Sequence, residues 1–161
     1  MPLAISLKTE LKDLFTNPIF ISTAAALCIA QLLKMVIFLL SGKRSKIREL
    51  FELTLWKTGG MPSSHAALVT ALSTSIAFAE GISSNLFIFS IWFTLVVMRD
   101  ALGVRRSAGL QARALNSLGR QISDIKEVVF HPVKEIQGHT PLEVLVGGLL
   151  GIFIAAGFAL L

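Results

Sequence analysis

The sequence is poor in the residues that small soluble domains use for cross-links, linkers and surface charge. Its one cysteine, Cys28, can form no internal disulfide and no thiolate metal cluster. Charged residues make up only 16% of the 161 residues, against 53% hydrophobic residues. No low-complexity tract, internal repeat or Pro/Ser/Gly-rich linker divides the chain, and its charged N-terminus is not laid out as a cleavable signal peptide. These shortages exclude an ordinary soluble domain and predict one integral membrane domain over residues 1–161.

Four apolar segments predict an all-α membrane helical bundle. The predicted spanning helices are about 19–40, 62–79, 86–98 and 142–161. The second and third are short for roughly 30 Å of hydrocarbon, unless their polar ends enter the membrane. The last is rich in glycines that allow close helix packing, namely Gly147, Gly148, Gly151 and Gly157.

Two further helices are predicted outside the spans. Leu7, Leu11, Leu14 and Phe15 recur at helical spacing, which indicates an N-terminal helix that lies in the membrane interface or packs on the bundle. Residues 108–129 predict a cytoplasmic helix that covers a site or packs beside it.

The distribution of basic residues predicts the topology. Residues 41–61 hold five of the fifteen lysines and arginines, residues 99–141 hold seven, and residues 80–85 hold none. The positive-inside rule therefore places both long loops in the cytoplasm and both termini outside the inner (cell) membrane, in a multi-pass arrangement. The net charge of +5 predicts membrane lipids as partners, because a basic protein surface is attracted to anionic headgroups. No nucleic-acid-reading motif is present, so no nucleic-acid partner is predicted, and the oligomeric state stays open.

The stretch GGMPSSH, from Gly59 to His65, places two glycines, two hydroxyls and a histidine where an apolar helix begins. A helix start offers unpaired backbone N–H groups and the positive end of the helix dipole, which bind anions. His65 adds a group that gives or takes a proton near neutral pH. The stretch therefore predicts a phosphate site at the membrane surface, beside Ser63 and Ser64.

The second polar stretch is RDALGVRRSAG, residues 99–109, at the end of the third predicted span. Arg105 and Arg106 present planar charged donors that clamp phosphate oxygens, and the two glycines in the stretch permit tight turns or close backbone approach. The alternative is a positively charged membrane flank in which Asp100 forms a salt bridge with one arginine. Taken by itself, the stretch favours that alternative.

The third polar stretch is GHTPLE, residues 138–143, at the entry to the last span. Thr140 and Glu143 fit a capping box with Pro141 at the first helical position, which explains Glu143 structurally. His139 and Glu143, four residues apart, can also meet across the helix start, where the carboxylate would fix the imidazole tautomer. Both roles are compatible. Two histidines at two helix starts on one membrane face, near paired arginines, favour the functional interpretation.

Lys34 lies past the middle of the first predicted span, one turn after Gln31. A charge in the membrane costs about 2.5–3.5 kcal/mol. Snorkelling to the cytoplasmic end and a place in the site are equally open. The acidic residues near the site have no metal-motif spacing, so no metal and no required cofactor are predicted. Polar residues are expected at helix ends, whereas a transporter would carry them along helix interiors.

The three stretches resemble the divergent branch of the type 2 phosphatidic acid phosphatase superfamily. The resemblance covers the longer blocks GGMPSSH, RDALGVRRSAGLQARALN and KEIQGHTPLEVLVGG. Members of this branch are often described as related to acid phosphatases or vanadium-dependent haloperoxidases. Pro62 to His65 resemble the superfamily's Pro-Ser-Gly-His block, with Ser64 in place of glycine. Glu143 stands where the superfamily has aspartate. The arginine and His139, normally six residues apart, are more than thirty apart here. The superfamily's first block has no counterpart, and Lys34 or Lys57 would replace its lysine only.

The resemblance implies a metal-independent phosphatase. His139 would attack phosphorus to form a phosphohistidine, Glu143 would orient His139, and His65 would protonate the leaving group. The implied substrate-binding residues are Arg105, Arg106, Ser63, Ser64, Lys34 and Asp100. The expected substrate is a lipid-linked or isoprenyl phosphate, although a soluble phosphate ester fits the same pattern. The alternative function is a non-catalytic membrane protein that binds phosphate or lipid through a degenerate site.

Overall fold

The structure, a computed structural model, describes residues 2–41, 60–126, 129–135 and 138–161. These residues form six α-helices, one π-helical turn and no strand, which confirms the predicted all-α class. The α-helices are α1 (Pro2–Thr16), α2 (Pro18–Leu40), α3 (Ser64–Glu80), α4 (Asn85–Arg99), α5 (Arg105–Lys126) and α6 (Pro141–Leu160), and the π-helical turn is Asp100–Val104.

Helix α3 is the centre of the bundle. It packs against α2, α4 and α6, and α2 also packs against α6. The side chains of α3 are mostly small, and Ala66, Ala67 and Ala71 are buried. Small side chains let neighbouring helices approach closely, which is how membrane helices gain packing energy when lipid is as apolar as they are.

Glycines of α6 supply the closest contacts with α3. A Cβ atom at Gly147 would lie 2.3 Å from the Ser63 carbonyl oxygen, and one at Gly151 would lie 2.2 Å from the Ala67 carbonyl oxygen. These two backbones therefore touch, and the predicted packing role of these glycines is confirmed. Gly157 is different, because a Cβ atom there would meet nothing within 4 Å among the described residues. Gly157 therefore makes no close contact with α3 of the kind that Gly147 and Gly151 make.

Hydroxyl side chains also lie inside the bundle, in addition to the polar residues predicted at the helix ends. Ser22 and Ser75 form a 2.6 Å hydrogen bond between α2 and α3. Ser73 and Thr94 form a 2.8 Å bond between α3 and α4. These hydroxyls are partnered within the bundle, and such bonds between membrane helices add modest stability. They act in packing.

Within the described residues, three helical segments are long and apolar enough to cross a membrane, namely Pro18–Leu40, Asn85–Ile125 and Pro141–Leu160. Helix α3 has 17 residues, a length of about 25 Å, which is at the short end for a crossing. The chain is therefore a multi-pass membrane protein, while the count of four crossings and the orientation stay predictions. Leu7 and Leu11 of α1 are exposed, and its interfacial placement also stays a prediction.

The end of α4 differs from expectation. The glycines of residues 99–109 permit tight turns or close backbone approach, and the sequence predicts separate helices at about 86–98 and 108–129. In the structure α4 continues through the π-helical turn into α5, so that Asn85–Ile125 is one helical segment of 41 residues. Gly103 and Gly109 both lie within this segment. A π-helical turn inserts one residue into a helix and often marks a functional site.

Candidate functional site

Four helix ends meet at one end of the bundle. The Ser63 backbone N–H, at the start of α3, donates to the Glu143 carbonyl in α6 at 2.9 Å. The His139 backbone N–H donates to the Ala101 carbonyl of the π-helical turn at 3.3 Å. Gly60 lies beside the Lys34 side chain of α2, whose Cγ and Cδ atoms would be 3.9 Å from a Cβ at that glycine. All three predicted polar stretches and Lys34 therefore reach one region.

His139 and Glu143 form a pair at the start of α6. The His139 Nδ1 atom lies 3.0 Å from Oε2 of Glu143, and the Thr140 backbone N–H donates to the same oxygen at 3.0 Å. The predicted capping box is present, because the Glu143 N–H also donates to the Thr140 hydroxyl. One carboxylate oxygen thus caps the helix and holds the imidazole by Nδ1, which leaves Nε2 as the nitrogen that can meet a substrate.

His139 is buried, with 3% of its surface exposed. Burial lowers its pKa below the ordinary value of 6.5, because desolvation disfavours the charged ring. The hydrogen bond and negative charge of Glu143 oppose this change, and the positive charges of Lys34 and Arg105 reinforce it. The ring is therefore neutral near pH 7, the form in which a histidine acts as a nucleophile or base.

His65 lies at the second residue of α3 and is exposed. It interacts electrostatically with Arg105, His139, Lys34 and Asp100. Both histidines therefore belong to one cluster of ionisable groups, which they form together with Lys34, Asp100, Arg105 and Glu143. We call this set the polar cluster.

Ser63 and Ser64 are buried beneath the cluster. Ser63 is the N-cap of α3, and its hydroxyl accepts a hydrogen bond from the Ala66 N–H at 3.4 Å. Its side chain is therefore occupied by capping. What α3 offers an anion is its first-turn N–H groups and the positive end of its dipole, and α6 begins in the same region.

The two predicted arginines occupy different positions. Arg105 Nε lies 2.7 Å from Asp100 Oδ2, with about two-fifths of each side chain exposed (40% and 41%), and Arg105 interacts electrostatically with both histidines. The salt bridge considered in the sequence analysis is thus present. The Arg106 side chain is exposed, and its backbone packs against Gly138, where a Cβ atom would lie 2.3 Å from the Arg106 nitrogen.

Lys34 is 8% exposed and interacts electrostatically with Glu143. Within the described residues, no carboxylate lies within ion-pair distance of its ammonium. One turn earlier, the Gln31 Oε1 atom is buried without a hydrogen-bond partner in that same part of the chain. A buried cation lacking a close counterion is unfavourable by itself and is stabilised by an anionic ligand. Lys57, the other lysine considered, lies outside the described residues.

Other parts of the structure contribute nothing to this cluster. His131 is exposed in the segment that precedes α6. Among the described residues, no group of three or more His, Cys, Asp or Glu side chains is placed to hold a metal ion. A cavity of about 380 Å³ lies at the opposite end of the bundle, between residues such as Asn17, Ser75 and Phe158.

Sequence reasoning missed the backbone groups that assemble the cluster. The Ala101 carbonyl fixes the His139 backbone, and no sequence signal identifies a carbonyl in a π-helical turn. Gly60 has φ 84°, a conformation that favours glycine. The double glycine at 59–60 was a usable signal for that position. Gly138 allows contact with Arg106, and its place directly before His139 was a weaker signal.

The chain is similar to known proteins over most of its length. The model of the divergent PAP2 family matches residues 15–154. An uncharacterized membrane protein of Bacillus subtilis (strain 168), YuiD, is 41% identical over 154 residues, which cover 88% of this chain and 94% of that protein. No solved structure matches the chain.

Proposed function

Since the chain belongs to the divergent PAP2 family, and is in that sense a phosphatase-related membrane protein, we propose that it hydrolyses a lipid-linked or isoprenyl phosphate through a phosphohistidine intermediate. The observation that carries this proposal is the His139–Glu143 pair, with a 3.0 Å contact to Nδ1 and a buried imidazole ring. That arrangement turns Nε2 into an oriented nucleophile.

In the first step, His139 Nε2 attacks phosphorus and forms a P–N bond. The bond from phosphorus to the leaving oxygen breaks, and His65 donates a proton to that oxygen. Glu143 stabilises the positive charge that the His139 ring acquires. In the second step, water attacks phosphorus, its proton passes to His65, and the P–N bond breaks to release phosphate and neutral His139.

The surrounding cations stabilise the charge that develops on the phosphoryl oxygens. Lys34 and Arg105 supply fixed positive charge, and the first-turn N–H groups of α3 supply donors at the end of a helix dipole. Asp100 holds Arg105 by its Nε atom and leaves the terminal nitrogens of the guanidinium for oxygen atoms of the substrate. Arg106, which is exposed next to Arg105 in the chain, is the second arginine proposed to bind these oxygens. The residues need no metal for this chemistry.

The test is phosphate release from a panel of lipid phosphates and isoprenyl pyrophosphates by the purified protein in liposomes. The variants are His139→Ala and His65→Ala, and His131→Ala is the matched control, since this third histidine lies outside the polar cluster. We expect release by the unaltered chain and the control, and a loss of about two orders of magnitude or more in the other two variants. Full activity in His139→Ala would refute the mechanism.

The same experiment tests the alternative function. If the unaltered chain releases no phosphate from any lipid in the panel but binds lipid phosphate, the protein is a phosphate-binding or lipid-binding membrane protein with a degenerate site. The observations that favour this alternative are two departures from the superfamily blocks. The first block is absent, and more than thirty residues separate the arginines from His139.

We further propose that the polar cluster faces the cytoplasm, on the basis of the basic residues in the two long loops. Single cysteines at Ser83, between α3 and α4, and at Ser107, beside the cluster, are the test in a Cys28→Ala background. In sealed vesicles of known orientation, an impermeant thiol reagent should label Ser107→Cys from the cytoplasmic face and Ser83→Cys from the other. The reverse pattern would overturn the orientation.

A further inference from the structure

Helix α5 and the segment that follows it form an arm whose two ends lie at the polar cluster. The segment 129–135 folds back along α5. The Asn116 side chain donates to the Val133 carbonyl and accepts from the Val133 N–H, both at 2.9 Å. Asn116 also donates to the Glu135 carboxylate at 2.9 Å. One face of α5 is therefore covered by the chain itself.

The covered face also includes Gly119 and Arg113. A Cβ atom at Gly119 would lie 2.3 Å from the ring of Phe130, so the ring packs directly on the helix backbone. Arg113 pairs with Glu135 at 3.4 Å. The return segment thus contacts polar and glycine positions on one side of α5, and the described residues leave the other side of the helix uncovered.

The face of α5 opposite the return segment is largely apolar. Five large apolar side chains lie on it, within an arc of about 140° at 3.6 residues per turn that also contains the polar residues Ser107, Gln111 and Gln121. All five are exposed, at fractions between 42% and 79%. They are Leu110, Leu115, Leu118, Ile122 and Ile125. We call this set the apolar face of α5.

The helical segment that carries this face is longer than the hydrocarbon is thick. The 41 residues of Asn85–Ile125 extend over about 60 Å, twice the roughly 30 Å of hydrocarbon. The 15 residues of α4 and the five of the π-helical turn together extend over about 30 Å, and α4 has exposed apolar side chains such as Trp92 and Val96, so these residues suffice for the crossing. Helix α5 continues from α4 without a loop, and the π-helical turn between them is a place where a helix can change direction. The apolar face of α5 is therefore continuous along the chain with a surface that already faces lipid.

Charge on the arm complements a lipid surface. Residues 99–141 contain seven basic and four acidic residues. Arg106 and Arg120 are exposed on α5 outside its apolar face. An amphipathic helix with basic residues on its polar side and large aliphatic residues on the other binds the boundary between headgroups and acyl chains, most strongly where lipids are anionic.

We propose that the apolar face of α5 docks on the bilayer that contains the protein, and so holds the arm in the headgroup region beside the polar cluster. A docked arm keeps Arg105, at its first residue, level with lipid headgroups. The inference concerns a binding surface and holds whether or not the protein is a phosphatase.

The test measures the surroundings of single spin labels on the full-length protein in liposomes of phosphatidylcholine and phosphatidylglycerol. Labels are attached to cysteines at Leu118 and Ile122, on the apolar face, in a Cys28→Ala background. Matched controls carry the label at Ser117 and Asp124, on other sides of the same helix. Collision with oxygen reports lipid, and collision with a water-soluble nickel chelate reports water.

We expect collisions with oxygen to exceed those with nickel at positions 118 and 122, and the reverse at positions 117 and 124. Labels at Leu115 and Ile125 repeat the measurement if one of the first variants does not fold. Equal exposure to water at all positions would overturn the proposal. So would labels at 118 and 122 that are shielded from both reagents and show spin–spin broadening, because a second copy of the chain would then cover the face.

Discussion

Changing Glu143 to glutamine separates the two roles that the structure gives this residue. Oε2 of Glu143 accepts from the Thr140 backbone at 3.0 Å and contacts His139 Nδ1 at 3.0 Å. In a glutamine, the amide oxygen must stay towards the Thr140 N–H, so the same oxygen still meets Nδ1 and the tautomer is kept. Only the negative charge is lost. Glu143→Ala, by contrast, removes the cap, the orientation and the charge together.

The expected magnitudes differ for the two variants. A hydrogen bond to a charged group exceeds a neutral one by about 1–1.5 kcal/mol, so Glu143→Gln should lower the rate of phosphate release about tenfold. Glu143→Ala should lower it by about 10³-fold or more, the scale seen when a catalytic histidine loses its orienting carboxylate. Loss of the cap should destabilise Glu143→Ala by about 1 kcal/mol, whereas glutamine, also a capping-box residue, should preserve stability.

Two assays follow these changes, namely phosphate release in liposomes and thermal unfolding in detergent. Glu135→Gln is the matched control, because Glu135 is a partly exposed carboxylate paired with Arg113 outside the polar cluster. If both Glu143 variants keep full activity, Glu143 is a helix cap alone and the mechanism is refuted. If Glu143→Gln loses as much activity as Glu143→Ala at unchanged stability, the argument from the shared oxygen is wrong.

Three further predictions follow from the buried contacts. Burial lowers the pKa of His139 below 6.5, so the unfolded chain binds this proton at a higher pH than the folded chain does. The free energy of unfolding should therefore decrease as the pH falls below about 6.5. Denaturation measured across pH 5 to 7 should show a smaller decrease in His139→Gln. Lys34→Met should weaken binding of inorganic phosphate by about tenfold or more without lowering thermal stability, because this buried ammonium has no carboxylate within ion-pair distance among the described residues. A loss of stability with unchanged binding would contradict the anion role. Gly147→Leu should destabilise the bundle by about 1–3 kcal/mol or prevent folding, because its Cβ would lie 2.3 Å from the Ser63 carbonyl. Gly157→Leu, with open space beside it, should leave the free energy of unfolding unchanged when both variants are measured by denaturation.

Features set by neighbouring residues were predictable from the sequence. The start of α6 is the clearest case, because a threonine, a proline and a glutamate at fixed spacing specify a capping box wherever they occur. His139 and Glu143 are four residues apart, so the helix start itself brings them together. The bounds of α2 follow likewise from Asn17, whose side chain accepts from the Ile19 N–H at 2.9 Å, and from a long apolar run.

Features set by packing between distant residues were not predictable. Gly147 meets Ser63 across 84 positions in the sequence, and neither residue carries a local sign of its partner. The hydroxyl pairs inside the bundle, such as Ser73 with Thr94, were not predictable either, because no sequence pattern indicates which serine or threonine of one helix contacts which of another. The π-helical turn was not predictable either, because the sequence indicates two separate helices, at about 86–98 and 108–129, whereas α4 and α5 are joined without a loop and Gly103 lies within the π-helical turn.

The separation of the arginines from His139 in the sequence does not imply a separation in space. More than thirty residues lie between them, but the arm that these residues form leaves and returns at the same place. Its first turn carries Arg105, and Gly138 packs against the Arg106 backbone at its end. The His139 N–H then bonds to Ala101, just before the arm begins. A segment whose two ends lie side by side can be added to a site without moving the groups on either side of it. The long spacing in the sequence is therefore compatible with an arginine and a histidine that act together. The same arrangement leaves the arm available to bind the membrane surface.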